Sequence, residues 1–190
     1  GNFLVRSRQL FADKGLMAVV VDAPSDRLRA PFLNGFRQTE EHAADLKATI
    51  AWARATAKVP VWLVGTSRGT QSAAYAATVL QGADAPDGVV LTATILADDK
   101  QRPVPAMPLE QIKVPVLVVH HQQDGCSHCA YSEIPNLMAK LTHTPRSHLI
   151  TATGGKNQGD ACAAFAYHGF NGLEADVVGQ MADWILAPAR

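Results

Sequence analysis

The 190-residue chain has few aromatic residues (6%), few charged residues (18%) and only three cysteines. Its 17 basic residues balance 17 acidic ones. A chain without net charge lacks the basic surface that nucleic acids and anionic membranes attract, so we expect neither as a partner. No apolar run approaches the roughly 20 residues of a membrane-spanning helix. The apolar fraction of 47% suits an ordinary folded core, which predicts a single domain over residues 1–190.

The three cysteines leave several interpretations open. Cys126 and Cys129 are spaced as Cys-x-x-Cys, and Cys162 stands apart. A redox pair needs a thioredoxin-like helix N-terminus, and a zinc site needs further ligands such as His128. One disulfide to Cys162 is therefore favoured over free structural thiols, a metal site or a redox pair. We predict no metal and no cofactor. A disulfide favours an exported protein, periplasmic or secreted, and free thiols favour the cytoplasm.

The most informative run is Gly-Thr-Ser-Arg-Gly at residues 65–69. It follows the apolar stretch 59–64 and precedes the alanine-rich stretch 70–77. Strand, sharp turn and helix is the setting in which Gly-x-Ser-x-Gly presents an exposed serine. Gly65 and Gly69 are expected to avoid collisions with the neighbouring strand and helix. Because the helix N-terminus favours negative charge beside it, Ser67 is the candidate nucleophile.

Apolar runs alternate with helical patterns along the whole chain. This alternation predicts an α/β fold, a mostly parallel sheet with helices on both faces. Trp52, Trp62 and Trp184 are expected to pack rather than to act in a site. The predicted strands cover 17–21, 59–64, 89–96, 114–119 and 147–153, and the predicted helices cover 3–14 (capped by Asn2), 39–58, a stretch from Thr70, 132–141 and 174–186.

A serine nucleophile needs a base, and His168 is the favoured one among seven histidines. It lies in a loop between the last predicted strand and the last helix. His120 and His121 end a strand, where we expect a core position or a backbone carbonyl partner. His42 lies on a predicted helix and is expected to face solvent.

The base in turn needs an acid that orients it. Asp124 is favoured because it follows the strand 114–119 by a few residues, in a loop at the carboxyl end of that strand. Asp98 and Asp99 follow an earlier strand and remain alternatives, and Asp22 is a weaker one.

The Gly-x-Ser-x-Gly run and the order Ser67, Asp124, His168 resemble the α/β-hydrolase superfamily over nearly the whole chain. The resemblance implies a serine hydrolase, most simply a carboxylesterase, that cleaves a small ester-type substrate through an acyl-enzyme. Ser67 would attack the carbonyl, His168 would take its proton and Asp124 would orient the imidazole. The backbone amides of Arg68 and of Asn2 (or Phe3) would form the oxyanion hole.

The resemblance leaves other activities open. A thioesterase, a dienelactone-type hydrolase or a peptidase could use the same triad, and a binding protein could keep the fold without catalysis. Residues 97–113 are too few for a helical lid, so an open site is expected. The Arg68 side chain could attract an anionic substrate, although a solvent-facing or acid-paired role is favoured. If Asp124 and His168 meet at Ser67, a bridge from Cys126 or Cys129 to Cys162 would join their loops.

The superfamily's sheet has about eight strands, whereas five are predicted here. The absent strands include the neighbour of the strand 59–64 in the middle of the sheet. We therefore expect the mature protein to contain an upstream segment of roughly 40–80 residues, as part of the same chain or cleaved from it. A continuous sheet built from residues 1–190 alone would contradict this expectation.

Overall fold

The structure is a computed structural model that describes residues 1–187. Its core is one parallel sheet in the order β1-β2-β3-β4. Every residue of β2 and β3 is buried, which explains why these strands are continuous apolar runs. The strands are β1 (Trp62–Thr66), β2 (Gly88–Thr92), β3 (Val116–His121) and β4 (Ser147–Ala152).

Six α-helices connect and cover these strands within residues 1–187. No described helix is both long and apolar enough to cross a membrane. The helices are α1 (Phe3–Arg6), α2 (Arg8–Asp13), α3 (Glu40–Ala57), α4 (Arg68–Val79), α5 (Ile134–Ala139) and α6 (Glu174–Leu186).

The helices lie on both faces of the sheet, which confirms the predicted α/β class. Successive side chains of a strand point to opposite faces. Val89 and Leu91 accordingly pack with α4 and α5, whereas Val90 packs with α1, α2 and α6. Helix α3 lies outside α4, with Ile50 against Ala76.

Polar caps explain where the first and third helices begin. Oδ1 of Asn2 accepts hydrogen bonds from the backbone N–H groups of Leu4 and Val5, as the sequence predicts. The predicted helix over 3–14 is divided at Ser7 into α1 and α2. The hydroxyl of Thr39 caps α3 by accepting from His42 N–H.

The predicted strand over 17–21 is wrong in this structure. These residues adopt no regular structure, and Met17, Val19, Val20 and Val21 are 42–53% exposed. A parallel strand forms only when a neighbouring strand satisfies its backbone groups, and within the described residues no strand pairs with this segment. β1 is an edge of the four-stranded sheet. The upstream segment expected from the sequence stays a prediction.

Two side chains lie in environments opposite to those predicted. Trp52 is 53% exposed on α3, so its expected packing role is wrong. His42 is buried against the ring of Phe36, with centroids 5.3 Å apart, because α3 turns this side of its first turn inward. Trp62 and Trp184 do pack, edge to face at 5.6 Å.

The segment 97–113 contributes to the core instead of covering the sheet. It contains two short 3₁₀ turns, Val104–Ala106 and Leu109–Gln111. The side chains of Val104 and Leu109 are fully buried beside α4. As expected from its length, this segment forms no helical lid.

Candidate active site

Ser67 occupies a sharp turn between β1 and α4. Its backbone has φ 50° and ψ −124°, a strained conformation for a residue with a side chain. A Cβ atom at Gly65 would lie 2.5 Å from the carbonyl oxygen of Gly69, so the turn requires glycine at position 65. A Cβ at Gly69 would meet no atom within 4 Å, so the steric role expected for Gly69 is wrong.

Asp124 and His168 form a buried hydrogen-bonded pair. Nδ1 of His168 lies 2.8 Å from Oδ2 of Asp124, and the other carboxylate oxygen accepts from Cys126 N–H at 2.9 Å. Because a carboxylate accepts, Nδ1 carries the proton and Nε2 is free to accept one. Within the described chain, this buried Nε2 has no hydrogen-bond partner. The imidazole thus has the tautomer that a general base requires.

Ser67 and the Asp124–His168 pair lie at the same end of the sheet, where the parallel strands finish. Only β2 separates the strands that precede Ser67 and Asp124, so the carboxyl ends of these two strands lie about 10 Å apart. The structure contains no hydrogen bond from His168 Nε2 to Ser67, and such bonds are often long in free enzymes.

A series of contacts connects Ser67 with His168. The backbone N–H of Ser67 donates to the carbonyl of Thr92 at 3.0 Å. The thiol of Cys129 lies 3.5 Å from the carbonyl of the next residue, Ala93. The same sulfur lies within 4.8 Å of a ring nitrogen of His168. The two residues are therefore linked through the ends of β2 and the loop after β3.

The alternative acids have other partners or face solvent. Asp98 forms an ion pair with Arg68, which bears out the acid-paired role favoured for that arginine. Burial raises the pKa of Asp98, but hydrogen bonds from Lys100 N–H and from Arg68 outweigh it and hold this pKa below the usual range. Asp22 is exposed and accepts from the N–H of Ala23.

The N-terminal residues are attached to the loop that carries His168. Nη2 of Arg6 donates to the carbonyl of Gly169 at 2.6 Å, and Nη1 donates to the carbonyl of Gly1 at 2.8 Å. The ring of Phe3 packs on Phe170 with centroids 4.9 Å apart. These contacts hold the first residues of the chain, next to Asn2, against the histidine loop. Nothing in the local sequence around Arg6 indicates this role.

His120 and His121 are structural, as the sequence predicts. Nε2 of His120 donates to the carbonyl of Cys129 at 2.7 Å, and burial lowers the pKa of His120. Nε2 of His121 donates to the carbonyl of Gly154 at 2.9 Å, while its Nδ1 accepts from Gln123 N–H.

Cys126 and Cys162 form a disulfide, and Cys129 is a buried free thiol. Cys126 is two residues from Asp124, and Cys162 is six residues from His168. The bridge therefore joins the acid loop to the histidine loop, one of the two arrangements expected from the sequence. Export of the protein stays a prediction.

Comparison with solved structures identifies the fold. A dienelactone hydrolase from Anabaena variabilis ATCC 29413 matches with a TM-score of 0.69 and 16% identity, over 99% of this chain and 80% of that chain. A lidless α/β serine hydrolase from Xanthomonas campestris matches with a TM-score of 0.53 and 17% identity, over 97% and 75%. The chain has the α/β-hydrolase fold.

A third matching structure is that of a cold-adapted esterase from an Arctic intertidal metagenomic library. It matches with a TM-score of 0.62 and 16% identity, over 95% of this chain and 75% of that chain. No family model matches the sequence, and no curated protein matches it either. At this identity the comparison establishes the fold alone, so the activity must be argued from the side chains.

Proposed function

We propose that the chain is a serine hydrolase that cleaves an ester-type bond in a small molecule, most simply a carboxylesterase. The observation that carries the proposal is the buried hydrogen bond between His168 Nδ1 and Asp124 Oδ2. It leaves the Nε2 atom as an unprotonated acceptor at the sheet edge where Ser67 stands in a strained turn. An aspartate and a histidine with only a structural role would have no reason to lie at the same end of the sheet as the strained serine.

The reaction is acyl transfer in two steps. Ser67 Oγ attacks the carbonyl carbon while its proton passes to His168 Nε2, and Asp124 stabilises the imidazolium. His168 then gives the proton to the leaving alkoxide, which leaves an acyl-Ser67. Water, deprotonated by the same imidazole, releases the acid and restores Ser67. The N–H of Arg68 at the start of α4 and the N–H of Asn2 would hold the oxyanion, and one such donor contributes about 3 kcal/mol.

Several reactions use the same residues. Thioesters, lactones and activated amides differ from esters only in the leaving group, and the matched structures include a dienelactone hydrolase and an esterase. We favour oxygen esters because these named activities share that bond. A non-catalytic binding protein is the alternative from another class, and it predicts no turnover by a correctly folded chain.

A cationic cavity beside Arg68 favours substrates in which the ester carries a negative charge. The cavity has a volume of about 330 Å³, and Arg37, Arg68 and Lys100 line it. Arg68 is paired with Asp98, but within residues 1–187 the half-buried guanidinium of Arg37 has no ion pair. Burial and the charge of Arg68 lower the pKa of Arg37. A substrate carboxylate there would offset both effects.

Turnover of p-nitrophenyl acetate tests the proposed function. Asp124→Asn should lower kcat by roughly 10³- to 10⁴-fold, because the amide favours the wrong imidazole tautomer. Asp99→Asn is the matched control, since Asp99 is exposed and is one of the alternative acids considered from the sequence. Equal activity of Asp124→Asn and the wild type would contradict the proposed triad. No turnover of any ester by the folded wild type would favour the binding protein.

A second ester tests the preference for negative charge. With p-nitrophenyl hemisuccinate, Arg37→Gln should raise KM by about tenfold, and it should leave KM for the neutral acetate unchanged. Arg29→Gln removes an exposed arginine that does not line the cavity and serves as the control. The same KM for the charged ester in Arg37→Gln and the wild type would exclude Arg37 from substrate binding.

A further inference from the structure

Three sulfur atoms lie close to the imidazole of His168, and the reaction proposed above uses none of these sulfur atoms. Sγ of Cys126, Sγ of Cys129 and a ring nitrogen of His168 all lie within 4.8 Å of one another. Sγ of Cys162 is at the same place because it is bonded to Cys126. All three residues of the first group are buried. The molecule therefore holds four potential metal ligands close together, of which three are buried and the fourth, Cys162, is exposed.

Three thiolates and one imidazole form a ligand set typical of zinc. Zn–S bonds of about 2.3 Å in a tetrahedron place the sulfur atoms about 3.8 Å apart. The ligand atoms of Cys126, Cys129 and His168, which lie within 4.8 Å of one another, require shifts of only about 1 Å to reach that geometry. The two bonded sulfurs must also move apart, which follows from breaking the disulfide. A second observation points to a ligand: Nε2 of the buried His168 has no partner within the described residues.

We propose that reduction of the Cys126–Cys162 disulfide creates a zinc site at Cys126, Cys129, Cys162 and His168. While the disulfide is closed, two of the four ligands are not thiols, and the site does not exist. Metal binding would also stop the hydrolysis proposed above, and this second part alone rests on the proposed function. Coordination through Nε2 removes the acceptor for the Ser67 proton, and coordination through Nδ1 displaces Asp124.

The chemistry balances with a dithiol as the reductant. The dithiol gives two electrons and two protons to the disulfide, which yields two protein thiols and one cyclic disulfide. Zn²⁺ then replaces the protons of three thiols and accepts a lone pair from the imidazole.

The test compares zinc binding by the oxidised and reduced forms of the whole chain. The protein is reduced with dithiothreitol, desalted without oxygen and titrated with Zn²⁺ in a calorimeter. One Zn²⁺ per reduced chain is expected, with an affinity at least ~100-fold above that of the oxidised form. Co²⁺ should give thiolate-to-metal charge-transfer absorption only after reduction. Equal affinity of both forms, or Co²⁺ absorption without thiolate bands, would overturn the proposal.

Single substitutions test the ligand set. Cys129→Ser keeps the disulfide, which intact mass can verify, and should weaken Zn²⁺ binding to the reduced chain by more than the 10- to 100-fold typical of outer-shell partners. His128→Gln is the control, because the ring of this half-buried histidine of the same loop hydrogen-bonds to the carbonyl of Ala97, outside the proposed ligand set. Unchanged affinity in Cys129→Ser would exclude the site.

Folding and activity supply two further readouts. If the reduced chain loses its near-ultraviolet circular dichroism, Zn²⁺ should restore the signal, and a failure to restore it would count against the site. In the folded reduced chain, Zn²⁺ should abolish ester turnover, and a chelator should recover it. The binding results do not depend on turnover, so an inactive protein that binds Zn²⁺ would refute the hydrolase proposal and keep the metal site.

Discussion

The imidazole of His121 lies flat on the phenol ring of Tyr167, with centroids 4.4 Å apart and planes 7° apart. His121 is the last residue of β3, which leads into the loop of Asp124, and Tyr167 immediately precedes His168. The stack therefore connects the strand before Asp124 with the loop of His168. The hydrogen bond from His121 to the Gly154 carbonyl holds the imidazole in place.

We expect His121→Ala to lower kcat for ester turnover by about tenfold with little change in KM. The substitution removes a stacked aromatic pair, worth roughly 0.5–1.5 kcal/mol beyond its buried area, and lets the His168 loop move. His121→Phe keeps the stack without the hydrogen bonds and should recover part of kcat, whereas Tyr167→Phe should be nearly neutral. Equal kcat in His121→Ala and the wild type would show that the stack does not position His168.

Gly65 and Gly69 provide a matched pair that tests the turn at Ser67. Gly65→Ala places a Cβ 2.5 Å from a backbone oxygen and should destabilise the protein by several kcal/mol or prevent folding. Gly69→Ala enters open space in the first turn of α4 and should be neutral or stabilising by about 0.5–1 kcal/mol. Urea unfolding of the two variants measures both effects. A tolerated Gly65→Ala would contradict the turn described here.

The disulfide should contribute strongly to stability, because Cys126 and Cys162 are 36 positions apart in the sequence. Chain-entropy arguments give about 4 kcal/mol for a loop of this length. The double variant Cys126→Ala, Cys162→Ala should therefore lower the free energy of unfolding by about that amount, with metal ions absent. Urea titration with and without a chelator makes the measurement. A midpoint equal to that of the wild type would show that the two loops are held by other contacts.

Two buried histidines should make the protein less stable in mild acid. Burial lowers the pKa of His42 and of His120, so the unfolded chain binds their protons more readily than the folded one. The stability that the two uncharged, buried histidines contribute is complete above the ordinary histidine pKa of about 6.5, and it is lost as pH falls below that value. The urea midpoint should drop between about pH 7.5 and 5.5. His42→Gln should flatten this drop, and an identical slope would contradict the prediction.

The sequence predicted the buried sheet and its helices because their signals are local. Continuous apolar runs predict β2 and β3, and a 3.6-residue apolar period predicts α6, without any knowledge of the neighbouring elements. The segment 17–21 carries the same apolar signal, yet it is exposed, because a strand also needs a neighbour that no local pattern can supply.

The candidate site divides in the same way. The sequence predicts Ser67, Asp124 and His168 as site residues from a motif and from the order of loops after strands. The hydrogen bond from Arg6 to Gly169 and the stack of His121 on Tyr167 join residues far apart in the chain, so no local sequence pattern predicts them. The burial of His42 also depends on Phe36, which lies before α3.

Labelling with a fluorophosphonate tests the central proposal most directly, because the probe reacts only with an activated serine. Mass spectrometry should locate one phosphonyl group on Ser67 of the wild type. Ser67→Ala should remain unlabelled, and Ser72→Ala, which alters a serine one turn along α4, should be labelled like the wild type. Labelling of Ser67→Ala to the extent seen in the wild type, or a folded wild type that never reacts, would contradict the account.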